Sequence, residues 1–386
     1  MKAQLTLIPE FLSTVRSALR PGSGASLGWV VLGNESADLD SAVSSLLYAF
    51  SLFTSQKQLA APILPIPRAD ILLRTEITYF LSLLGVDPHR DLFFSDDLDR
   101  IYSSIASDSA CKPKLALADF NSLPPSLAHL APHVAAIVDH HVDSGAFPTA
   151  NPRVIEPVGS ATSLIVRDCF TPAALDANTK AEVARLALGP ILLDTINLNR
   201  AMLRATDVDA EAAAVCLSWL PESTLDTSAL YAAMLKAKAD ISHLSSADLL
   251  RKDYKEFELR EGGGKYGMAS VMWDLHKWIE RDGGAGVLDQ ALGYARERGL
   301  HSLYILTAFE DQEGGFHRQL AVVSGDRGRE QAVVEVLMTK EETSGLQVKE
   351  AAGQVHGQGQ LVVYDVGKHV SRKVLQPLLH RVLVDL

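Results

Sequence analysis

Aspartate recurs at the ends of apolar runs in the first half of the chain. VVLGNESADLD ends in Asp38 and Asp40, LALADF carries Asp119, AAIVDHH carries Asp139 followed by His140 and His141, and GPILLDT reaches Asp194 after a helical run. One aspartate behind an apolar run is ordinarily a helix cap that accepts from free backbone N–H groups. Several brought to one sheet edge are different: they would repel one another or take up protons. Divalent cations remove that conflict. Carboxylate oxygens joined by one imidazole suit Mg²⁺ or Mn²⁺ better than a thiolate-seeking metal. Two such ions roughly 3.5–4 Å apart form a site suited to phosphoryl hydrolysis. Asp38 and Asp40 can each face a different ion, with Asp119 bridging them. In the doubled histidine, one ring can ligate metal while the next points towards substrate.

The intervening elements must carry these residues to one place. WVVLG (29–33) reads as a buried strand and LDSAVSSLLYAF as the helix after it. APILPI (61–66), DLFF (91–94), LALAD (115–119) and VAAIVDHH (134–141) are further short apolar runs, and ILLRTEITYFLSLLG is an amphipathic helix closed by Gly85. Strand–helix alternation at this spacing predicts an α/β fold, a doubly wound and mostly parallel sheet. Ligands in such sheets bind outside the carboxyl ends of the strands. From about Ala161 to Leu198 the pattern is helical, and residues 205–246 are an alanine-rich helical connection. After Asp248 the texture changes. KEFEL, YGMASVMW, HSLYILTAF, RQLAVVSG and LVVYDVG read as strands; KWIERDG, LDQALGYARERG and REQAVVEVLMTK read as helices. The expected division is a metal-binding domain over 1–204, the connection over 205–246 and a smaller α/β domain over 247–386, with reaction in the cleft between the domains.

Bulk properties bound the class. A chain of 386 residues suits two domains rather than one core. With 47% hydrophobic and 22% charged residues it has the balance of a globular enzyme, not of a disordered segment. Its three cysteines, Cys111, Cys169 and Cys216, are far apart and form neither a zinc motif nor a disulfide framework, so a reducing compartment is expected. No signal-peptide pattern or membrane span is read, and the cytoplasm is the expected location. A formal net charge of −11 argues against a nucleic-acid polymer as partner. It leaves room for a polyanionic substrate where metals or a basic patch reverse the local sign.

GNESADLDS, ALADF, VDHH and ILLDT, in this order, resemble the four motifs of the DHH phosphoesterase superfamily. The form GNESADLDS resembles the exopolyphosphatase branch, which includes the prune proteins; family II inorganic pyrophosphatases share the architecture. The second half is similar to the DHHA2 domain of this subgroup. The resemblance implies two divalent cations, Mg²⁺ or Mn²⁺. Asp38 and Asp119 would hold one, and Asp40, Asp119, His140 and Asp194 the other. His141 would contact the substrate phosphate or assist the leaving group, and Asp139 would orient the histidines. The pyrophosphatases have a histidine ligand where this chain has Asn34, which the exopolyphosphatases share. That departure predicts a looser first metal site and places Asn34 beside the substrate. The implied activity is release of terminal phosphate from inorganic polyphosphate by a monomer. Alternatives are a short-chain polyphosphatase, a pyrophosphatase, a nucleotide phosphodiesterase or a prune-like partner-binding protein.

A polyphosphate needs cations on its non-reacting phosphates. Lys255 in RKDYKEF and Arg372-Lys373 in HVSRKVLQPLL are the candidates. Taken alone, each could be an ordinary surface charge. The resemblance matches them to the DHHA2 substrate motifs, with arginine suited to a bidentate phosphate contact and lysine to a point charge. Two other motifs are set aside. GGGKYG (262–267) lies between strand-like stretches and is a hairpin turn rather than a dinucleotide fingerprint. Gly159-Ser160-Ala161-Thr162 is a helix start that capping alone explains.

Overall fold

In the computed structural model the chain divides into two compact units, residues 1–239 and 240–386. The structure describes residues 5–20, 22, 26–103, 112–221, 225–259, 264–311, 313–324, 333, 349–350 and 362–385.

The first unit is built on five strands: β1 (Trp29–Leu32), β2 (Ala60–Ile63), β3 (Lys114–Ala118), β4 (Val134–Asp139) and β5 (Arg153–Ile155). All neighbours pair in parallel, in the order β2-β1-β3-β4-β5. The strands read as unbroken apolar runs because helices cover both faces of a parallel sheet. All four residues of β1 are buried. Its helices are α1 (Leu7–Ala18), α2 (Leu39–Gln56), α3 (Thr75–Leu83), α4 (Pro88–Asp91), α5 (Ser95–Ser103), α6 (Ala161–Cys169), α7 (Ala177–Asp194), α8 (Asp207–Trp219) and α9 (Thr227–Ala239). Helix α2 lies against β1, β2 and β3 and packs on α6 and α7. That explains why its apolar residues are not confined to one stripe. Strand order reverses direction between β1 and β3, the switch point at which such sheets open a crevice.

Two departures from the sequence reading have physical causes. DLFF is not a sheet strand: α4 ends at Asp91 and only Phe93 forms a bridge, parallel to Ile63. The N-terminal residues form α1, whose first turn is held by the buried Glu182 of α7. Its Oε1 accepts from the Leu7 N–H at 2.8 Å and its Oε2 from the Ile8 N–H at 2.9 Å. A cap supplied from 175 residues away leaves no local sequence signature.

The second unit carries a sheet of order β10-β11-β9-β8-β7-β6 among the described residues. Its strands are β6 (Tyr254–Glu258), β7 (Lys265–Val271), β8 (Leu300–Glu310), β9 (Phe316–Ser324), β10 (Lys349–Glu350) and β11 (Val362–Val366). The pairs are antiparallel except β7 with β8. The crossover between β7 and β8 carries α11 (Leu275–Asp282) and α12 (Gly284–Glu297), as a parallel connection requires. Helix α10 (Ser246–Lys252) precedes β6, and α13 (Arg372–Asp385) follows β11. Tyr266, Tyr304, Leu320, Leu375 and Leu379 share one core. β6 and β7 form the antiparallel pair expected around GGGKYG, although Gly262 and Gly263 lie outside the described residues. The helix read over REQAVVEVLMTK, apart from Val333, lies outside them as well.

Candidate metal centre

The loops after β1, β3 and β4 deliver the site to the switch point. Asn34, Asp38 and Asp40 follow β1, Asp119 follows β3, and Asp139 closes β4 with His140 and His141 next in line. Asp119 adopts φ +67°, a left-handed conformation that aspartate tolerates better than most residues. Its side chain is buried, 1% exposed. One ligand atom from each of Asp119, His140 and His141 lies within 4.8 Å of the others.

Hydrogen bonding separates carboxylates that can take a cation from those that cannot. Asp139 is saturated. Its Oδ1 accepts from the His140 N–H at 2.7 Å, the His141 N–H at 3.2 Å and the His141 ring at 2.8 Å; its Oδ2 accepts from the Asn121 amide. It is therefore a positioning group. Burial opposes its ionisation, but the hydrogen bonds from His141 and Asn121 hold its carboxyl below the usual range. In return, the Asp139 contact raises the His141 imidazole above its ordinary value. His141 is the exposed ring of the pair, with 55% of its side chain accessible.

Asp119 has the opposite character. Its Oδ2 accepts from the Asn34 amide at 2.8 Å, while Oδ1 is buried and has no hydrogen-bond partner. His140 Nε2 stands 3.2 Å from that oxygen. His140 Nδ1 is 2.9 Å from the Val158 carbonyl. A carbonyl only accepts, so Nδ1 carries a proton and Nε2 is the ring nitrogen turned towards Asp119 Oδ1. A buried carboxylate oxygen without a hydrogen bond and an imidazole nitrogen turned towards it are a donor pair that suits a metal ion, and a carbonyl-held imidazole is the usual support of a metal-ligating histidine. Burial, and then the Asp40 and Asp38 charges, push the Asp119 carboxyl well above its ordinary range. The donor set therefore fits a hard divalent ion.

Asp40 is 3% exposed and anchored more heavily. Its Oδ1 accepts from the Ser160 and Thr162 hydroxyls at 2.8 and 2.7 Å and from the Thr162 N–H at 3.0 Å; its Oδ2 accepts from the Ala161 N–H at 2.7 Å. It thus caps α6 from α2. Oδ2 also lies 3.9 Å from His140 Nε2, leaving one oxygen on the side of the cluster. Asp38 caps its own helix, accepting from the Ser41 N–H at 3.0 Å. Asp194 ends α7, and its carboxyl is pushed up to about 8 by burial and then by Asp40 and Asp38. Asp38 and Asp194 thus share the electrostatic field of the cluster. Ile196, Asn197 and Leu198, just beyond Asp194, all have positive φ, of 53°, 54° and 60°. Consecutive left-handed residues cost roughly 1–3 kcal/mol each and concentrate where a site demands them.

Asn34 presents its amide N–H, not an oxygen, to Asp119. Its Oδ1 accepts from the Ser36 and Ala37 N–H groups at 3.0 and 3.1 Å, which fixes the orientation.

The Gly159–Thr162 segment does more than begin a helix. Buried Asp209 accepts from the Gly159 N–H at 2.8 Å, the Ser160 N–H at 3.2 Å and the Ser163 hydroxyl at 2.7 Å. A Cβ at Gly159 would collide with the Arg204 carbonyl and the Thr195 methyl. Asp209 and Asn121 escape a reading based on strand ends. Asp209 is visible only as the last residue of the Thr206–Asp209 capping box, and Asn121 only as a neighbour of Asp119.

In the second unit, Arg372 opens α13 and pairs with Asp253 just before β6, Nη2 to Oδ1 at 2.7 Å and Nη1 to the carbonyl at 3.1 Å. Lys255, two residues on, and Lys373 are exposed. The three predicted cations thus fall at the junction of β6 and α13. Cys169 and Cys216 are free thiols, and Cys111 lies outside the described residues. No helix among the described residues is long and apolar enough to cross a membrane.

The DHHA2 domain family matches residues 232–382 and so begins within α9. A Schizosaccharomyces pombe protein assigned as an exopolyphosphatase is 35% identical over 240 residues, 59% of each chain. Bos taurus exopolyphosphatase PRUNE1 is 31% identical over 298 residues, 76% of this chain and 62% of its own. The chain therefore spans about three fifths of the length of these relatives. The crystal structure of a Methanococcus jannaschii protein assigned to the family II inorganic pyrophosphatases superposes with a TM-score of 0.50 at 19% identity, covering 92% of this chain and 99% of that one.

Proposed function

Because the chain belongs to the DHH phosphoesterases that carry a C-terminal DHHA2 domain, we propose that it is a divalent-metal-dependent phosphoanhydride hydrolase, an exopolyphosphatase releasing orthophosphate from the ends of linear inorganic polyphosphate. The observation that carries this reading is the buried, unpartnered Asp119 Oδ1 facing His140 Nε2 at 3.2 Å. Asp119 and His140 would hold Mg²⁺ or Mn²⁺, with Asp40, Asp38 and Asp194 completing the anionic shell for two ions. Bound divalent cations supply charge neutralisation for phosphate oxygens and an acidified water. His141, protonated through Asp139, donates its exposed Nε2–H to the leaving phosphate oxygen or to a neighbouring one. Lys255, Arg372 and Lys373 bind the phosphates that do not react. The Asn34 amide orients Asp119 rather than serving as a ligand. That favours the exopolyphosphatase over the pyrophosphatase, which uses histidine there.

The test is phosphate release from long-chain polyphosphate and from pyrophosphate, side by side, with Mg²⁺, Mn²⁺ or chelator. Expected are metal-dependent release from the polymer, little from pyrophosphate, and silence for Asp119→Ala. Fast pyrophosphate cleavage would overturn the substrate assignment. No hydrolysis of either with any metal would overturn the hydrolase reading.

A further inference from the structure

One edge of the second unit's sheet carries a row of cations on an otherwise acidic chain of net charge −11. The strand register defines that edge. The Ser270 N–H donates to the Asp253 carbonyl at 2.8 Å, Val271 pairs with Thr307, Ala308 with Arg318, and Arg318 with Val366. The Asp253 rung therefore runs through Ser270, Leu306, Leu320 and Tyr364, one line across β6, β7, β8, β9 and β11, and Arg318 and Val366 lie two residues beyond it at the same edge. Four strand spacings make that line roughly 19 Å long.

Residues 367–371 form a strap that leaves β11 at this edge. The Arg318 Nε–H donates to the Lys368 carbonyl at 3.0 Å and fastens the strap to β9. Val370 is buried, and its N–H closes a turn on the Gly367 carbonyl at 2.9 Å. At the far end Arg372 grips Asp253 at the start of β6. The strap thus spans from β11 to β6, with exposed Lys368 and His369 between the two fastenings. Lys368, Arg372 and Lys373 contribute positive charge along the same edge, with Arg318 beneath, and exposed Lys255 lies two residues further into β6. The nearby acids are few and mostly engaged. Asp253 is held by Arg372, Asp274 caps α11 through the His276 N–H at 2.9 Å, and Asp311 pairs with His317 at 2.6 Å. Glu310 and Asp365 are exposed.

We propose that Lys368 and His369 form a phosphate subsite that extends Lys255, Arg372 and Lys373 into a linear track for a polyphosphate. A row of point charges along a straight edge complements a linear polyanion with closely spaced charges; a compact diphosphate would meet only one end of it. The inference rests on the exopolyphosphatase reading for its ligand, but not on hydrolysis.

The experiment is equilibrium binding of long-chain polyphosphate and of tripolyphosphate to the full chain, over a range of salt, with metals chelated so that nothing is cleaved. Lys368→Ala combined with His369→Ala alters only exposed side chains and leaves Gly367 and Val370 to hold the strap. The expected result is about tenfold weaker long-chain binding and a salt slope lower by about one, with tripolyphosphate binding changed less than about twofold. Equal loss on both ligands, or no loss on either, would overturn the proposal. So would competition by single-stranded RNA as effective, per phosphate, as by polyphosphate. A wild-type chain that binds the long polymer in this pattern yet hydrolyses nothing would remove the enzymatic reading and leave the track standing.

Discussion

Asp194→Asn separates the cost of the anionic cluster from its use. The Asp194 carboxyl has its pKa raised from 3.8 to about 8, first by burial and then by Asp40 and Asp38. The folded chain therefore keeps a proton that the unfolded chain has already lost at neutral pH. For a carboxyl raised on folding, the penalty is absent below the unfolded pKa, grows as pH rises through the interval and levels off above the folded pKa. At pH 7 about three units of that interval have been crossed, at about 1.4 kcal/mol each, which gives an upper value of ~4 kcal/mol. Partial contact of Asp194 with solvent lowers this to ~2–4 kcal/mol. Asparagine has nearly the same shape and no charge. In chelator at pH 7 the Asp194→Asn chain should be more stable than the wild type by that amount, and the gain should vanish at about pH 4. Saturating Mg²⁺ or Mn²⁺ should reverse the order, because a ligand carboxylate must be ionised and cation binding is linked to folding. Hydrogen exchange of the β1, β3 and β4 amides reads the stability of this unit alone. A less stable asparagine variant in chelator at pH 7, or equal protection of both proteins by metal, would refute the reasoning.

Asp209→Ala leaves the Gly159 and Ser160 N–H groups and two hydroxyls without their acceptor, and should cost ~3 kcal/mol in urea unfolding. Gly159→Ala should lower both stability and metal affinity, because the collision is with backbone and the α6 start that Asp40 grips must move; thermal unfolding and Mn²⁺ titration check it. His141→Gln should reduce kcat by about 10²–10⁴-fold with metal binding nearly unchanged, the range expected for loss of a general acid. Because Asp139 raises the His141 pKa and the protonated ring is the working form, activity should fall as pH rises through that value. Asp139→Asn should move this alkaline limb to lower pH in a pH–rate profile.

The sheet and its site were legible for the same reason. Parallel strands are short apolar runs, and the loops that follow them open on one edge, so aspartates behind WVVL, KLALA and VAAIVD had to converge once the alternation was recognised. Less legible was what each carboxylate does. Asp40 and Asp139 look alike as sequence features, yet one caps α6 from another helix and the other is consumed by the histidines beside it. Those roles depend on residues 120 positions away or on the turn taken after β4. Contacts at that range leave no periodic signature. The same holds for Glu182 capping α1, and for the strap of residues 367–371, where only the register of β9 and β11 places Arg318 beneath Lys368.

Counting acceptors on Asp119 leads to a prediction that its carboxylate character alone would not suggest. Asn34 Oδ1 is committed to the Ser36 and Ala37 N–H groups, so the Asn34 amide must donate to position 119. In Asp119→Asn the new side chain must therefore turn its carbonyl oxygen to Asn34. Its own NH₂ then takes the place of Oδ1, opposite His140 Nε2. The new NH₂ can then donate to His140 Nε2 at about the right separation, near 3 Å. The substitution should close the position with a hydrogen bond rather than merely remove a ligand. Asp119→Ala leaves His140 Nε2 open and room for a water or small carboxylate. In Mn²⁺ titrations followed by electron paramagnetic resonance, Asp119→Asn should bind more weakly than Asp119→Ala. Added acetate should recover part of the affinity in alanine and none in asparagine. In chelator the asparagine variant should be the more stable of the two by ~1–3 kcal/mol, the value of a buried polar group satisfied rather than left unpaired. If alanine and asparagine bind Mn²⁺ alike and acetate helps both, the Asn34 amide does not dictate the orientation at 119, and its assignment as a positioning group falls with it.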